Sequence, residues 1–271
     1  MVKLLSADLA RVFRSKWFWL CLGGMLMMAV AFIIMQYTAM DYSVPLSRVV
    51  FLPMSFYGLA VAALVSLFVG EDFIDGFIRN KIIAGHSRFA VFASNLLVSW
   101  LVCILIYLLI TVFTLLIGLF LFACDITPVV FFRHLLMGVG MCLAYGSIFC
   151  TIAMLCGNKT TSAVLCMGLA FFLLVVCLHT NQVLVQPEYK DGVLNPVYED
   201  GAVRSIYLIL HNLNPSGQAA QLSAMHIFDS RFWVLCDVCW IIISGMGVCL
   251  FQRKILSKMI LESEWKPFFI A

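Results

Sequence analysis

Long apolar runs alternate with short hydrophilic connections along this chain. Six runs stand out: Trp17 to Met35, Val49 to Val69, Phe89 to Ala123, Leu135 to Cys156, Ala163 to Leu178 and Phe232 to Phe251. They are continuous rather than alternating, which means helices and not barrel strands. A bilayer core of about 30 Å takes roughly 20 helical residues to cross, and in lipid the backbone groups must be satisfied within the segment. The pattern predicts an all-α polytopic membrane protein, one domain over residues 1–271. Its six transmembrane helices fall at 17–36, 49–69, 88–123, 135–157, 161–179 and 232–251. At ~1.5 Å per residue the third is about 50 Å long. Its first turns, FAVFASN, are therefore expected in the cytoplasm or the headgroup layer.

The connections carry patterns of their own. In VKLLSADLARVFRSK, Val2, Leu5, Leu9, Val12 and Phe13 share one sector while Lys3, Arg11 and Arg14 lie elsewhere. This predicts an amphipathic helix over 1–16 that lies in the membrane interface. Between the second and third runs stands the hydrophilic island GEDFIDGFIRNKIIAGHSRF. Phe73, Ile74, Phe77, Ile78 and Ile82 fall on one side of a helix and Asp72, Asp75 and Arg79 on the other. Asp75 and Arg79 are i, i+4 with the acid first, a favourable order. Lys81 falls inside the apolar sector, so the helix, 71–84, is expected to end or bend near Asn80. Gly85 and Ser87 then turn the chain and cap the long third span. Residues 180–231 hold an exposed polar loop, QPEYKDGVLNPVYEDG, and two apolar patches, SIYLILHNL and QAAQLSAM, too short to cross and expected as short extracytoplasmic helices. Residues 252–271 form a tail.

Composition agrees with the pattern: 63% of the 271 residues are hydrophobic and only 11% are charged, with a mean hydropathy of +1.05. A soluble domain of this size carries about a quarter charged residues. If the N-terminus is cytoplasmic, the outer segments hold Arg48, Arg133, Lys190, Arg204 and Arg231, while the rest of the 17 Lys and Arg face inward. That asymmetry places both termini inside. The net charge of +3 reflects it and gives no reason to expect nucleic acid. The first run lacks a convincing cleavage site and is expected to stay. The eleven cysteines lie almost all within apolar spans, as small polarizable packing groups.

Candidate chemistry within the chain is thin. DFIDGFIR is similar to the start of the membrane phosphatidyltransferase motif. That reaction needs further carboxylates to hold divalent metal, and HSRFAVFASNLL supplies none. CGNKTT, Cys156 to Thr161, is similar to the end of a phosphate-binding loop, but Asn158 interrupts it and no strand precedes it. No hydrolytic triad and no HExxH occurs.

Glu71, Asp75, Gly76, Ile78, Arg79, Gly85, Ser87 and Arg88 resemble the acid, Gly and closing Ser-Arg pattern of ABC transporter permeases of the type-2 exporter superfamily. LNPSGQA is similar to that family's Pro-containing outer segment, and the order of parts matches along essentially the whole chain. Ser94 and Asn95 stand where the family often has a Lys. The resemblance implies a permease subunit, not itself an enzyme, in a plasma membrane of bacterial origin. It would pair with a second permease, identical or related, and hold two copies of an ABC ATPase subunit. That partner would bind ATP and Mg; this chain would bind no cofactor. Glu71, Asp72, Phe73, Asp75, Gly76, Phe77, Arg79, Lys81 and Arg88 would dock the ATPase as a coupling helix. The cargo it implies is amphipathic or hydrophobic, such as an antimicrobial or toxin peptide; the alternative is a phosphatidyltransferase-like enzyme of lipid metabolism. Asp237, about one turn into the sixth run, either lines the substrate path or pairs with Arg231 or Arg204. Arg133 and His134 are expected to anchor the fourth span at the outer surface.

Overall fold

A computed structural model of the chain describes residues 2–38, 44–190, 193–195, 198, 201–226 and 233–247. Ten α-helices account for most of the described residues. α1 (Val2–Arg14) and α2 (Lys16–Thr38) are separated by Ser15 alone. α3 (Tyr57–Ile74), α4 (Phe77–Ile83), α5 (Arg88–Leu121), α6 (Pro128–Cys156) and α7 (Lys159–Leu184) follow. A two-residue-per-strand hairpin pairs Tyr189–Lys190 with Val193–Leu194. It precedes α8 (Gly201–Leu213), α9 (Pro215–Ser223) and α10 (Trp233–Gly247).

Five helical segments are long and apolar enough to cross a membrane: Lys16–Thr38, Leu46–Ile74, Arg88–Leu121, Pro128–Cys156 and Lys159–Leu184. The chain is thus an all-helical, multi-pass membrane protein. α10 is apolar but shorter, and residues 232 and 248–251 of the expected sixth span lie outside the described residues.

Span two differs from its run length. Val49 to Phe56, expected to open span two as α-helix, instead follow one 3₁₀ turn, Leu46–Arg48, and contain a second, Leu52–Phe56, and the α-helix starts only at Tyr57. Pro53 removes a backbone donor there, and Val49, Val50, Phe51 and Met54 fill the interior. α3 is then the central post, packed by α2, α6 and α7. Its approach to α7 is close enough that a Cβ on Gly70 would stand 2.7 Å from the Lys159 Cα. α2 instead buries only the stripe Phe18, Leu22, Met25, Ala29 and Ile33. The rest of its surface is apolar and exposed, as lipid contact requires.

The chain reverses at capped ends. Ser87 Oγ accepts a hydrogen bond from the Ala90 amide at the start of α5. The Asn158 side chain does the same for Thr160 at the start of α7, so CGNKTT is a helix-to-helix turn. The bundle has two distinct ends. One carries α1, α4 and the junctions 15–16, 75–76, 84–88 and 157–158. The other carries the 3₁₀ turns, α8 and α9.

α9 is the least expected element. The sequence leads one to expect QAAQLSAM as a short helix resting on, or dipping into, the outer leaflet. Pro215, Ser216, Gly217, Gln218, Ala219, Gln221 and Leu222 are all buried, inside a cage of α6, α7, α8 and the second 3₁₀ turn.

Candidate functional site

The hydrophilic island folds as an elbow, not as one helix over 71–84. α3 runs on to Ile74, Gly76 adopts φ +69°, and α4 begins at Phe77. A left-handed backbone is cheap only for glycine, so the bend sits at Gly76 rather than near Asn80. α4 continues through Lys81, which points inward.

Four side chains from three helices meet under this elbow. Arg11 of α1 lies 2.7 Å from the Asp72 carboxylate of α3 and 3.3 Å from Asp8. Lys81 of α4 lies 2.8 Å from Asp8 and 3.8 Å from Asp72. The Ser94 hydroxyl of α5 donates to Asp8 at 2.8 Å. Asp8 and Asp72 are 2% and 1% exposed. Two buried carboxylates thus face two cations, and the charges cancel. An uncompensated charge at this depth would cost several kcal/mol. Arg11 also stands over the rings of Phe68 and Phe77, 5.1 and 4.5 Å from their centroids. A second, more exposed pair flanks the first. Glu71 Oε1 accepts from Lys159 of α7 at 2.8 Å and from the Trp17 indole of α2 at 2.6 Å. The elbow is therefore tied to α1, α2, α5 and α7 at once.

This geometry divides the expected docking residues. Asp72 and Lys81 belong to the internal network and do not form an outer face, which corrects their assignment. Glu71 and Phe73 are half-buried, and Arg88 opens α5. Asp75, Phe77 and Arg79 are exposed, with Asn80, Ile74 at 65% and Ile83 at 72%. Because the helix breaks at Gly76, Asp75 and Arg79 are not a helical i, i+4 pair, and among the described residues no ion pair joins them. A cleft of about 220 Å³ opens beside the elbow, lined by Arg14, Ser15, Glu71, Asp75 and Phe77 among others. Asp72 and Asp75, which metal-dependent phosphatidyl transfer would need to converge, both border this cleft, but the Asp72 carboxylate is spent on Arg11 in the buried network while Asp75 is exposed.

Asp8, Ser94, Lys159 and Trp17 were not singled out by the sequence reading. Asp8 was legible in principle: it recurs at i+4 from Leu4 and i−4 from Val12, and those three are the buried face of α1. The expected sector, centred on Leu5 and Leu9, is rotated from it. Ser94, noted only as a departure from the family's Lys, supplies the α5 contact.

Asp237 is buried on α10 and takes a hydrogen bond from Gln218 Nε2 of α9 at 2.9 Å. Arg204 is engaged elsewhere, its Nη2 donating to the Leu184 carbonyl at 3.0 Å, and Arg231 lies outside the described residues. His134, expected as a surface anchor, is buried with Nδ1 2.8 Å from the Val130 carbonyl; Arg133 beside it is exposed.

Among known families, one described as a protein of unknown function (DUF2705) matches residues 14–254. No curated protein matches the chain.

Proposed function

The chain therefore belongs to the DUF2705 family, and we propose that it is the permease subunit of an ATP-driven exporter of the ABC type-2 kind. In this reading α10 is the sixth span and both termini face the cytoplasm. α1 lies along the inner interface, α4 is the coupling helix, and α8 and α9 are the extracytoplasmic helices. Two such subunits hold two ATPase subunits in a plasma membrane of bacterial origin. The cargo is amphipathic or hydrophobic, with antimicrobial or toxin peptides the proposed class.

One observation carries the reading: α4 is bound firmly on one side and bare on the other. Its inward side is fixed through Ile78 and Lys81, and its outward side offers Phe77, Arg79 and Ile83, continued across the bend by Ile74 and Asp75. An apolar set with charges between is what a soluble partner's groove can grip, the apolar groups for affinity and the charges for register. Gripped there, the elbow moves as a rigid body. Its ties to α1, α2, α5 and α7 carry that motion into the spans.

The test is co-expression with an ABC ATPase subunit, sought first in the neighbouring gene. Hydrolysis should depend on the permease. Arg79→Glu and Ile83→Asp should each lower permease-dependent hydrolysis at least tenfold while leaving the unfolding temperature unchanged. The reading fails if those variants keep full coupling, or if the chain alone acts without ATP.

A further inference from the structure

At the α8/α9 end, the close of α7 and the flanks of α8 and α9 border an open cavity of about 570 Å³, within the ~300–1,000 Å³ range of ligand sites. Arg204 projects into it from α8. The guanidinium is held on one edge by the Leu184 carbonyl and stacks 4.8 Å from the Tyr198 ring centroid. Its Nη1 is buried, and among the described residues it has no hydrogen-bond partner. No ion pair to Arg204 occurs among the described residues either. The remaining polar lining is three amides, Asn181, Gln186 and Gln221, and the imidazole of His226. A cation held in place with one donor unspent, facing amides, is arranged for a monoanion.

The surroundings select which anion. Asn181 and Val185 line the cavity from the last turn of a span. On the same face of α7, Leu178 stands three residues before Asn181, and Val175 and Phe171 stand three and seven residues before Leu178, all three exposed and apolar. At 3.6 residues per turn these positions form one stripe descending from the cavity along the span. Charge at the top and a bare apolar track below match a lipid with its head group in the cavity and an acyl chain along α7. A water-soluble anion would leave the track unused.

We infer that this cavity binds the phosphodiester of an anionic phospholipid, with Arg204 as the charge-reading residue and Phe171, Val175 and Leu178 as the chain track. The site stands independently of transport.

The full-length protein, purified in a maltoside detergent, is titrated with phosphatidylglycerol and bound lipid is counted by native mass spectrometry. One phosphatidylglycerol per chain should be retained, and phosphatidylcholine should bind at least tenfold more weakly. Arg204→Gln should lower phosphatidylglycerol affinity about ten- to a hundredfold, the range for a charge-assisted hydrogen bond. Should that variant misfold, Ala224→Trp decides, because it fills the cavity from α9 with Arg204 untouched and should also abolish retention. Equal retention by Ala224→Trp, or equal binding of the two lipids, overturns the site. Displacement by millimolar inorganic phosphate overturns the lipid as its ligand. Retention seen only in Asp200→Asn, the carboxylate four positions before Arg204, would assign the arginine to its own chain.

Discussion

The two ends of the bundle solve the same problem in opposite ways. Both bury polar groups where water is excluded. At the α1/α4 end the partners are full charges: Asp8 and Asp72 against Arg11 and Lys81. At the α8/α9 end they are mostly neutral. Gln218 donates to the Asn212 carbonyl and to Asp237, Gln221 to the Asn212 side chain, Asn214 to the Leu173 carbonyl and Trp240 to the Leu213 carbonyl. Neutral amide bonds each contribute about 1 kcal/mol and fail singly. A buried charge quartet fails as a unit, because losing one member strands the others. The first construction suits a fixed wall, and the second suits a joint that must move as one body.

The contrast breaks most sharply at Asp72. Asp72→Ala leaves Arg11 and Lys81 with one buried carboxylate between them. It should destabilise the protein by about 3–5 kcal/mol, read as a fall in unfolding temperature in detergent. Asp72→Ala combined with Arg11→Met should cost less than the sum of the two single changes, the mark of a coupled pair.

Next comes the packing that brings the two ends of α3 and α7 into register. Gly70→Ala puts a methyl group 2.7 Å from backbone of α7, which a flexible side chain cannot relieve. A cost of about 1–3 kcal/mol is expected, with Glu71–Lys159 pulled out of reach, visible as loss of any additional effect of Lys159→Met.

At the neutral end, acid should act through His211. The imidazole is fully buried on α8, joined to Thr180 at 2.7 Å, and burial lowers its pKa from 6.5 to about 4. A depressed histidine pKa means that the unfolded chain binds the proton first. Its stabilising contribution is complete above pH 6.5 and is lost as pH falls towards 4. Between pH 8 and 5.5 the loss should be about 1.4 kcal/mol, and His211→Gln should flatten that part of the pH profile.

The smallest effect belongs to the half-exposed pair of the charged end. Glu71 and Lys159 retain 33% and 26% side-chain exposure, so Lys159→Met should cost about 1 kcal/mol or less and its effect should fade in high salt. A loss as large as that of Asp72→Ala would erase the distinction between buried and surface charge at this end.

Much of the architecture was legible because lipid permits few solutions. An uncharged run of twenty residues must be a helix, and the island between runs two and three must lie outside it. Ser87 could be read as a cap from its place before an apolar helix, whereas Asn158, which interrupts the phosphate-loop-like CGNKTT, shows its capping role only through the Thr160 amide. Lys81 was noticed as a misfit in an apolar sector, and the misfit was the signal of the buried quartet. What could not be read was its partner: Asp8 is 73 residues away, and no local periodicity joins them. The same holds for α9. Its amides look like surface residues until Asn212, Leu173 and Asp237 arrive from three other helices to bond them.

The sequence by itself determined the helices and most of their approximate ends, because backbone geometry and hydrocarbon thickness act on short stretches of chain; the bend expected near Asn80 falls at Gly76. The tertiary structure alone decided which charges are spent inside and which remain on the surface. That choice depends on burial and on partners distant in sequence, so Asp72 and Asp75, three residues apart, end with opposite roles.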